Sequence, residues 1–288
     1  MDEAWPPPCA SRRKSRSTPR TPASVTDSAS PDLYGNSMDA DALPSRWDLS
    51  IAEARAMQVR LRERLDLRAP PGFAPRTVGG ADVSMGRFSR RGFAGIAVLD
   101  AASLRMVDSA AVEAWLPMPY IPGYLSFREL PVLAAAWERL ATKPDVLVFD
   151  GQGTAHPRRF GVACHGGILF GVPSIGCAKS ILVGTHGPLG HERGSTAELV
   201  HEGEVVGAAV RTRAGVKPVY VSPGHRMDLE TAVRIVLAAA PQYREPETTR
   251  RSHRLVNDLR RAAGRDTEGR GDDPPSTGSA STTRPSNE

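Results

Sequence analysis

The fold class follows from one stretch, Pro144-Asp-Val-Leu-Val-Phe-Asp150. It is a short apolar run between turn residues, which is typical of a parallel strand buried on both faces. A glycine-rich loop, a predicted helix over residues 160–170 and a predicted strand over residues 173–178 come after it. Strands that alternate with helices in this way predict an α/β arrangement with a parallel sheet.

Three further strand-like runs precede this segment, and short loops connect them. The runs are Thr77–Met85, Gly92–Asp100 and Leu104–Leu116. Such short connections predict an antiparallel meander. The sequence therefore predicts an α/β fold with a mixed sheet, in which a three-strand antiparallel meander joins parallel strands and helices flank the sheet.

Helices and further strands are predicted on either side of these runs. Ser50 and Glu53 fit a capping box at the start of a first helix. Pro131 places the start of a second helix near residues 126–130, because proline suits only the first turn. The remaining predictions are a helix end at Leu140, strands over Val205–Thr212 and Pro218–Val221, and helices over Asp228–Ala239 and Thr249–Ala263.

Composition separates a folded body from two tails. Residues 1–46 and 264–288 are rich in Pro, Ser and Thr and show no apolar periodicity, so both are predicted to be disordered. The body, residues 47–263, holds 28 basic and 21 acidic residues. This excess favours a polyanionic partner, although an arginine-rich solvated surface accounts for it equally well.

Several classes of protein are excluded. No run approaches the roughly 18 consecutive apolar residues of a membrane helix, and no apolar run follows the basic cluster Arg12-Arg13-Lys14, so a secretory signal is not predicted. The three cysteines, Cys9, Cys164 and Cys177, have no CxxC spacing, which argues against a disulfide scaffold or a zinc knuckle. We expect a cytoplasmic monomer that does not contact a membrane.

Three carboxylates form a candidate metal site. Asp82 interrupts an apolar strand, Glu129 lies at the entrance of the second helix, and Asp150 ends the strand over 146–150. If the two strands are neighbours, Asp82 and Asp150 converge on one point, and clustered carboxylates suit a hard ion such as Mg²⁺ or Mn²⁺. Each residue also has a structural interpretation: an edge position facing water for Asp82, an Asp-Gly turn for Asp150, and a capping box with Ser126 for Glu129.

Six motifs, in order along the chain, carry a resemblance to a known family. They are Gly80-Ala-Asp-Val-Ser84, Pro119-Tyr-Ile-Pro-Gly-Tyr-Leu-Ser-Phe-Arg-Glu129, Pro144-Asp-Val-Leu-Val-Phe-Asp-Gly-Gln-Gly-Thr-Ala-His-Pro-Arg158, Gly171-Val-Pro-Ser-Ile-Gly-Cys-Ala-Lys179, Lys217-Pro-Val-Tyr-Val-Ser-Pro-Gly-His-Arg226 and Arg250-Arg-Ser-His253. Together they closely resemble endonuclease V, the inosine-directed nuclease family with a ribonuclease H-like fold. The likeness covers roughly residues 50–262 and leaves both tails outside it.

The resemblance implies an active site. It makes Asp82 and Asp150 direct metal ligands, with Glu129 and His253 as further members of the acidic centre. It implies Mg²⁺ as the cofactor, with Mn²⁺ as a substitute. Lys179 resembles an active-site lysine suited to a phosphate or to developing charge.

The resemblance also implies a nucleic-acid interface. Tyr120 corresponds to a wedge that enters a base stack while a base is extruded. Arg128 and His156 resemble residues that support the centre or hold the backbone, and Ser222 resembles a substrate-side residue. The implied base pocket is formed by the backbone near Gly123, Leu125, Gly153, Gly161 and Ala178.

The implied function is that of a metal-dependent endonuclease in DNA repair. Such an enzyme nicks the second phosphodiester bond 3′ to deoxyinosine and leaves 3′-hydroxyl and 5′-phosphate ends. Two alternatives stay open: a ribonuclease that acts on inosine in RNA, and a protein that binds deaminated bases without cutting. A different ribonuclease H-like enzyme, such as a Holliday-junction resolvase, would keep the acidic cluster but lack the Pro119-Tyr-Ile-Pro122 motif.

Overall fold

The computed structural model describes residues 38, 39, 42, 44, 46–85 and 90–266. The tails predicted to be disordered, 1–46 and 264–288, lie mostly outside these described residues. Two described residues before position 47 are nevertheless part of the fold. The Asp39 backbone N–H donates to the Leu169 carbonyl oxygen at 2.8 Å, and Ala42 is fully buried. The folded region therefore begins before the predicted boundary, and the last helix continues to Asp266.

Five helices and nine strands make up the described part of the chain. In chain order they are α1 (Ile51–Arg62), β1 (Thr77–Met85), β2 (Arg91–Asp100), β3 (Met106–Trp115), α2 (Leu125–Glu138), β4 (Val146–Phe149), α3 (Val162–Phe170), β5 (Ser174–Ala178), β6 (Thr185–His186), β7 (Thr196–His201), β8 (Glu204–Val210), β9 (Val219–Pro223), α4 (Leu229–Ala239) and α5 (Glu247–Asp266). None of the described helices is long and apolar enough to cross a membrane.

All nine strands form one sheet in the order β3-β2-β1-β4-β5-β9-β8-β7-β6. The pairs β1–β2 and β2–β3 are antiparallel, whereas β1–β4 and β4–β5 are parallel. The predicted mixed sheet of an antiparallel meander and parallel strands is therefore confirmed. The strands β6 and β7 are additions that the sequence did not predict, since β6 has only two residues and β7 has a single buried residue.

The helices differ from prediction mainly at their ends. The capping box of α1 is present: the Ser50 hydroxyl accepts from the Glu53 N–H, and the Glu53 carboxylate accepts from the Ser50 N–H. Helix α2 begins at Leu125, so Pro131 lies inside the helix and not in its first turn. Burial of the helix stripe that includes Phe127 and Leu130 outweighs the one hydrogen bond that a proline cannot donate.

Strand β4 lies at the centre of the core because both of its faces are buried. Leu147 and Phe149 pack on the side of α2 and α3, and Val146 and Val148 pack on the side of α4. This explains why the strand is a continuous apolar run and not an alternating one. It also places the residue after the strand, Asp150, at the edge of a rigid structure.

Helix α5 packs against β1 and β2, and glycines make the close approach possible. A Cβ atom at Gly80 would lie 2.2 Å from the Thr248 carbonyl oxygen, and one at Gly95 would lie 2.7 Å from Val256 Cγ1. Real Cβ atoms do not approach backbone this closely, so any side chain at Gly80 would push α5 away from the sheet.

We expect Gly80→Ala to lower the free energy of unfolding by about 3 kcal/mol, because the obstructing atom belongs to the backbone and cannot rotate away. A shift of the urea midpoint measures this effect. Gly187→Ala is the matched control, since nothing lies within 4 Å of a Cβ atom there. A midpoint for Gly80→Ala equal to that of the control would contradict the packing of α5 described above.

Candidate active site

The parallel pairing of β1 with β4 brings Asp82 and Asp150 together. Ala81 pairs with Phe149, so the next residues along the two strands are Asp82 and Asp150. Strand β1 lies between β2 and β4 inside the sheet, and Asp82 is only 9% exposed. The interpretation of Asp82 as an edge residue facing water is therefore wrong. Asp150 does begin the loop after β4, and this position is compatible with a role in the site.

The two carboxylates influence one another through their charges. Burial raises the pKa of Asp82 above its ordinary value, and the negative charge of Asp150 raises it further. The His253 ring opposes this effect, since its Nδ1 donates to Asp82 Oδ2 at 2.9 Å. His253 comes from α5, so the close packing of that helix on Gly80 is what brings the imidazole to the carboxylate.

Glu129 extends the acidic cluster from a second helix. Tyr124 occupies the N-cap of α2 and makes no side-chain capping bond, so the capping-box interpretation of Glu129 is wrong. Burial raises the pKa of Glu129 well above its ordinary value, and the charges of Asp82 and Asp150 add to this effect. Three carboxylates from β1, α2 and the end of β4 are thus close enough to repel one another.

A lysine partly balances this negative charge. Lys179 Nζ donates to Asp150 Oδ2 at 2.7 Å and lies 3.3 Å from Glu245 Oε2. Burial lowers the pKa of Lys179, but the hydrogen bond and the charge of Asp150, together with Glu245, outweigh burial and raise it. Sequence reasoning missed Glu245, because it lies in an irregular segment before α5 and has no motif spacing to the other acids.

The carboxylates at this edge of the sheet are ligands that a hard divalent cation prefers, although they do not form a closed cage around an ion. Within the described residues, no group of three or more His, Cys, Asp or Glu side chains is arranged to hold a metal ion. Mg²⁺ does not need such a cage, since it is usually bound by one or two carboxylates together with water and substrate phosphate oxygens. The mutual repulsion of Asp82, Asp150 and Glu129 is a cost that a cation would relieve.

A cavity of about 320 Å³ adjoins the carboxylates. Asp150 and Lys179 line it beside the acidic cluster, and Tyr120, which is 64% exposed, also lines it. The other lining residues are Gln58, Gly123, Leu125, Ser126, Gly151, Gln152, His156, Gly161, Val162, Ala178, Ser180, Ile181 and Leu182. The structure therefore brings together four of the five residues of the implied base pocket.

Gly153 and Ser222 lie behind the cavity wall and not in it. The Gly153 N–H donates to the fully buried Ser222 hydroxyl at 2.8 Å. A Cβ atom at Gly153 would lie 2.0 Å from the Pro223 carbonyl oxygen. In this structure both residues hold the loop after β4 against β9, so neither offers a surface to a ligand.

The side chains of His156 and Arg128 are both buried. Burial and the neighbouring Arg158 lower the pKa of His156 to about 4. Its Nδ1 accepts from the Arg158 N–H at 3.2 Å, and its Nε2 donates to the Gly123 carbonyl oxygen at 3.1 Å, as a neutral imidazole requires. Burial lowers the pKa of Arg128, against the charge of Glu129, and its Nε has no hydrogen-bond partner among the described residues.

Comparison with known proteins identifies the family. The sequence profile described as Endonuclease V matches residues 58–254, which include the three carboxylates, Lys179 and His253. The chain belongs to the endonuclease V family. It is therefore a nuclease, a hydrolase that acts on phosphodiester bonds, and its mixed sheet with flanking helices is the ribonuclease H-like fold of that family.

Individual endonuclease V relatives align over most of the chain. The endonuclease V of Myxococcus xanthus is 65% identical over 220 residues, which cover 76% of this chain and 94% of the relative. The crystal structure of the Streptomyces avermitilis endonuclease V is 44% identical, with a TM-score of 0.73 over 77% of this chain and 98% of that one. A Ciona intestinalis endonuclease V, solved with a 23-mer DNA that contains an inosine followed by a ribo-adenosine, is 28% identical with a TM-score of 0.63 over 74% and 98%.

We expect the His156 ring to stay neutral at pH 5.5, since its pKa is about 4. The unfolded chain has an ordinary histidine pKa near 6.5 and binds the proton first. Protonation of His156 in the unfolded chain therefore lowers the free energy of unfolding as the pH falls from about 6.5 to 4. Above that range His156 does not affect the free energy of unfolding. Imidazole ¹⁵N shifts measure the charge, with the urea-unfolded chain as control. A protonated His156 ring in the folded protein at pH 5.5 would contradict its burial.

Proposed function

We propose that this endonuclease V nicks DNA at the second phosphodiester bond 3′ to deoxyinosine and leaves 3′-hydroxyl and 5′-phosphate ends. The observation that carries the proposal is the adjacency of a carboxylate cluster and a base-sized cavity, which share Asp150 as a wall. The Ciona intestinalis relative bound to inosine-containing DNA supports the choice of substrate. We propose that the protein acts in DNA repair as a monomer in the cytoplasm. The buried free thiols of Cys164 and Cys177 suit such a reducing compartment.

Arginines beside the acidic cluster support binding of the phosphate backbone. A groove of about 660 Å³ runs along α5 next to His253. Its lining residues are Glu245, Arg250, His253, Arg254, Asn257, Arg260 and Arg261. Guanidinium groups bind phosphate in a bidentate manner, and such contacts provide affinity without sequence choice.

Tyr120 and the cavity suit recognition of an extruded base. The ring of Tyr120 projects from a loop with prolines at positions 119 and 122, which limits how far the loop can yield when the ring enters a stack. Hypoxanthine is guanine without the 2-amino group, so a close wall at that position rejects guanine. Backbone at Gly123 and Gly161 can approach a base closely because no side chain intervenes.

Asp82 and Asp150, with Glu129 and His253 beside them, would hold Mg²⁺, and Mn²⁺ is a chemically similar substitute. The chemistry that the ion supplies when bound is activation of a water molecule and stabilisation of the leaving oxygen. His253 orients the Asp82 carboxylate through its hydrogen bond. Lys179 Nζ, held between Asp150 and Glu245, presents a positive charge to the phosphate of the scissile bond.

We expect Asp82→Asn and Asp150→Asn to reduce nicking of a deoxyinosine duplex by at least about 100-fold, because each removes a negative charge at the reacting centre. Binding of the same duplex should stay within about threefold of wild type, since phosphate contacts provide most of the affinity. A gel nicking assay with Mg²⁺ and a binding titration with Ca²⁺ measure the two quantities. Glu198→Gln, an exposed carboxylate on β7, is the control, and wild-type rates for either aspartate variant would refute the assignment.

We expect Tyr120→Ala to weaken the preference for deoxyinosine over deoxyguanosine duplexes by about tenfold, because the variant loses about one stacking contact between an aromatic ring and a base. Tyr120→Phe keeps the ring and should retain the preference. Competition binding with the two duplexes measures the ratio. An unchanged ratio for Tyr120→Ala would remove the wedge role from this residue.

Inosine-containing RNA is the second candidate substrate. The ribo-adenosine that follows the inosine in the Ciona intestinalis complex favours it, since that relative accommodates a ribose at this position. Matched single-stranded DNA and RNA oligonucleotides with one inosine distinguish the candidates. A clear preference for RNA would replace the DNA-repair assignment, and binding of both without cleavage would favour the third alternative, a non-cleaving binding protein.

A further inference from the structure

One backbone oxygen at the edge of the cavity accepts three side-chain hydrogen bonds. The Gly123 carbonyl oxygen receives Gln58 Nε2 at 3.0 Å, His156 Nε2 at 3.1 Å and Arg158 Nη2 at 2.6 Å. A carbonyl oxygen has two lone pairs and is ordinarily satisfied by one or two donors. Three donors from two distant parts of the chain therefore make this a strongly restrained point of the backbone.

Gly123 closes the loop that carries Tyr120. Its backbone is in the left-handed region, with φ of +80°, and a Cβ atom there would lie 2.9 Å from Arg158 Nη2. Gly123 lies three positions after Tyr120, and helix α2 begins two positions after Gly123. The position of this carbonyl group therefore determines how the Tyr120 ring projects from the surface.

The donors also hold one another in place. Arg158 Nε donates to Gln58 Oε1 at 2.6 Å, and the Arg158 guanidinium lies 4.3 Å above the Tyr124 ring. Gln58 is 1% exposed, and its Nε2 makes a second contact with the Phe160 carbonyl oxygen at 3.3 Å. The amide of Gln58 thus has a fixed orientation, with its oxygen on Arg158 and its nitrogen on two carbonyl groups.

We propose that Gln58 and Arg158 are positioning residues that hold the Tyr120 loop through the Gly123 carbonyl oxygen, and that they thereby control extrusion of a base from paired duplex. The inference rests on the proposed function of Tyr120 as a wedge. Gln58 belongs to α1 and Arg158 to the loop before α3. The clamp therefore joins two segments that are distant in sequence to the loop that must withstand the force of unstacking a base.

The clamp predicts an effect that depends on the substrate. A base in a paired duplex must be unstacked and unpaired before it enters a pocket, whereas a base in a single strand needs much less work. A loosened Tyr120 loop therefore slows nicking of a duplex more than nicking of a single strand. A loss of general stability or of metal binding would slow both substrates to the same degree.

The test compares Gln58→Met with wild type on two oligonucleotides that carry one deoxyinosine in the same sequence, one single-stranded and one in a paired duplex. Methionine has a similar length and removes both hydrogen bonds to Gly123 and Arg158. We expect kcat/KM to fall about tenfold on the duplex, the equivalent of one hydrogen bond to a charged group. On the single strand we expect a loss of only about threefold, which reflects the place of Gln58 in the cavity lining. Val59→Ala is the control, since Val59 is the next residue on α1 and is exposed.

Arg158→Lys is a second test of the same proposal. Lysine keeps the positive charge but cannot bridge Gln58 and Gly123 with two separate nitrogen atoms, so it should give the same unequal loss. The Arg158→Lys variant is used alone if Gln58→Met is too unstable to assay at the working temperature.

The possible results separate this inference from the proposed function. Equal losses on the two substrates, or no loss on the duplex, would overturn the clamp while the nuclease assignment stands. Failure of the wild-type protein to nick either deoxyinosine substrate would overturn the proposed function, and the clamp with it. An unequal loss in both variants and none in Val59→Ala supports the inference.

Discussion

The parallel pairing of β1 with β4 determines where the charged groups of the site lie. With Ala81 opposite Phe149, the next residue on each strand is an aspartate, and both side chains emerge on the same side of the sheet. A slip of one residue in either strand would turn its aspartate to the other face and separate the pair. The buried faces of β4, packed by apolar residues on both sides, make such a slip costly, so apolar packing determines the spacing of the charges.

Like charges at close range are unfavourable, and the surrounding structure offsets that cost from several directions. Lys179 neutralises Asp150 from the end of β5, and His253 donates to Asp82 from α5. Helix α5 reaches this position only because Gly80 has no side chain. Burial is the main cause of the raised pKa values of Asp82 and Glu129, and the charges of the neighbouring carboxylates raise them further. A residual excess of negative potential of this kind attracts a cation.

Sequence patterns predicted the elements that have strong local signals. The run Thr77–Met85 became β1 with the same limits, and the capping box at Ser50 began α1 as expected. The predictions were weaker where tertiary packing overrides local preference. Pro131 lies inside α2 because the buried stripe of that helix compensates for the missing donor. Strand β6 has only two residues and pairs with β7, and β7 has a single buried residue and pairs with β8, so the local signals of both strands are weak.

The family, the mixed sheet and the identity of the acidic residues could all be predicted from the sequence, because motifs and apolar periodicity are properties of neighbouring positions along the chain. Which of those residues meet depends on the folded structure. It paired Asp82 with His253 across 171 positions, brought Glu245 to Lys179, and joined Gln58 and Arg158 at the Gly123 carbonyl oxygen. The contact between Ser222 and Gly153 likewise holds both residues behind the cavity wall. Contacts between distant segments depend on how helices and strands pack in three dimensions, and that information is spread over the whole core and not contained in any one motif.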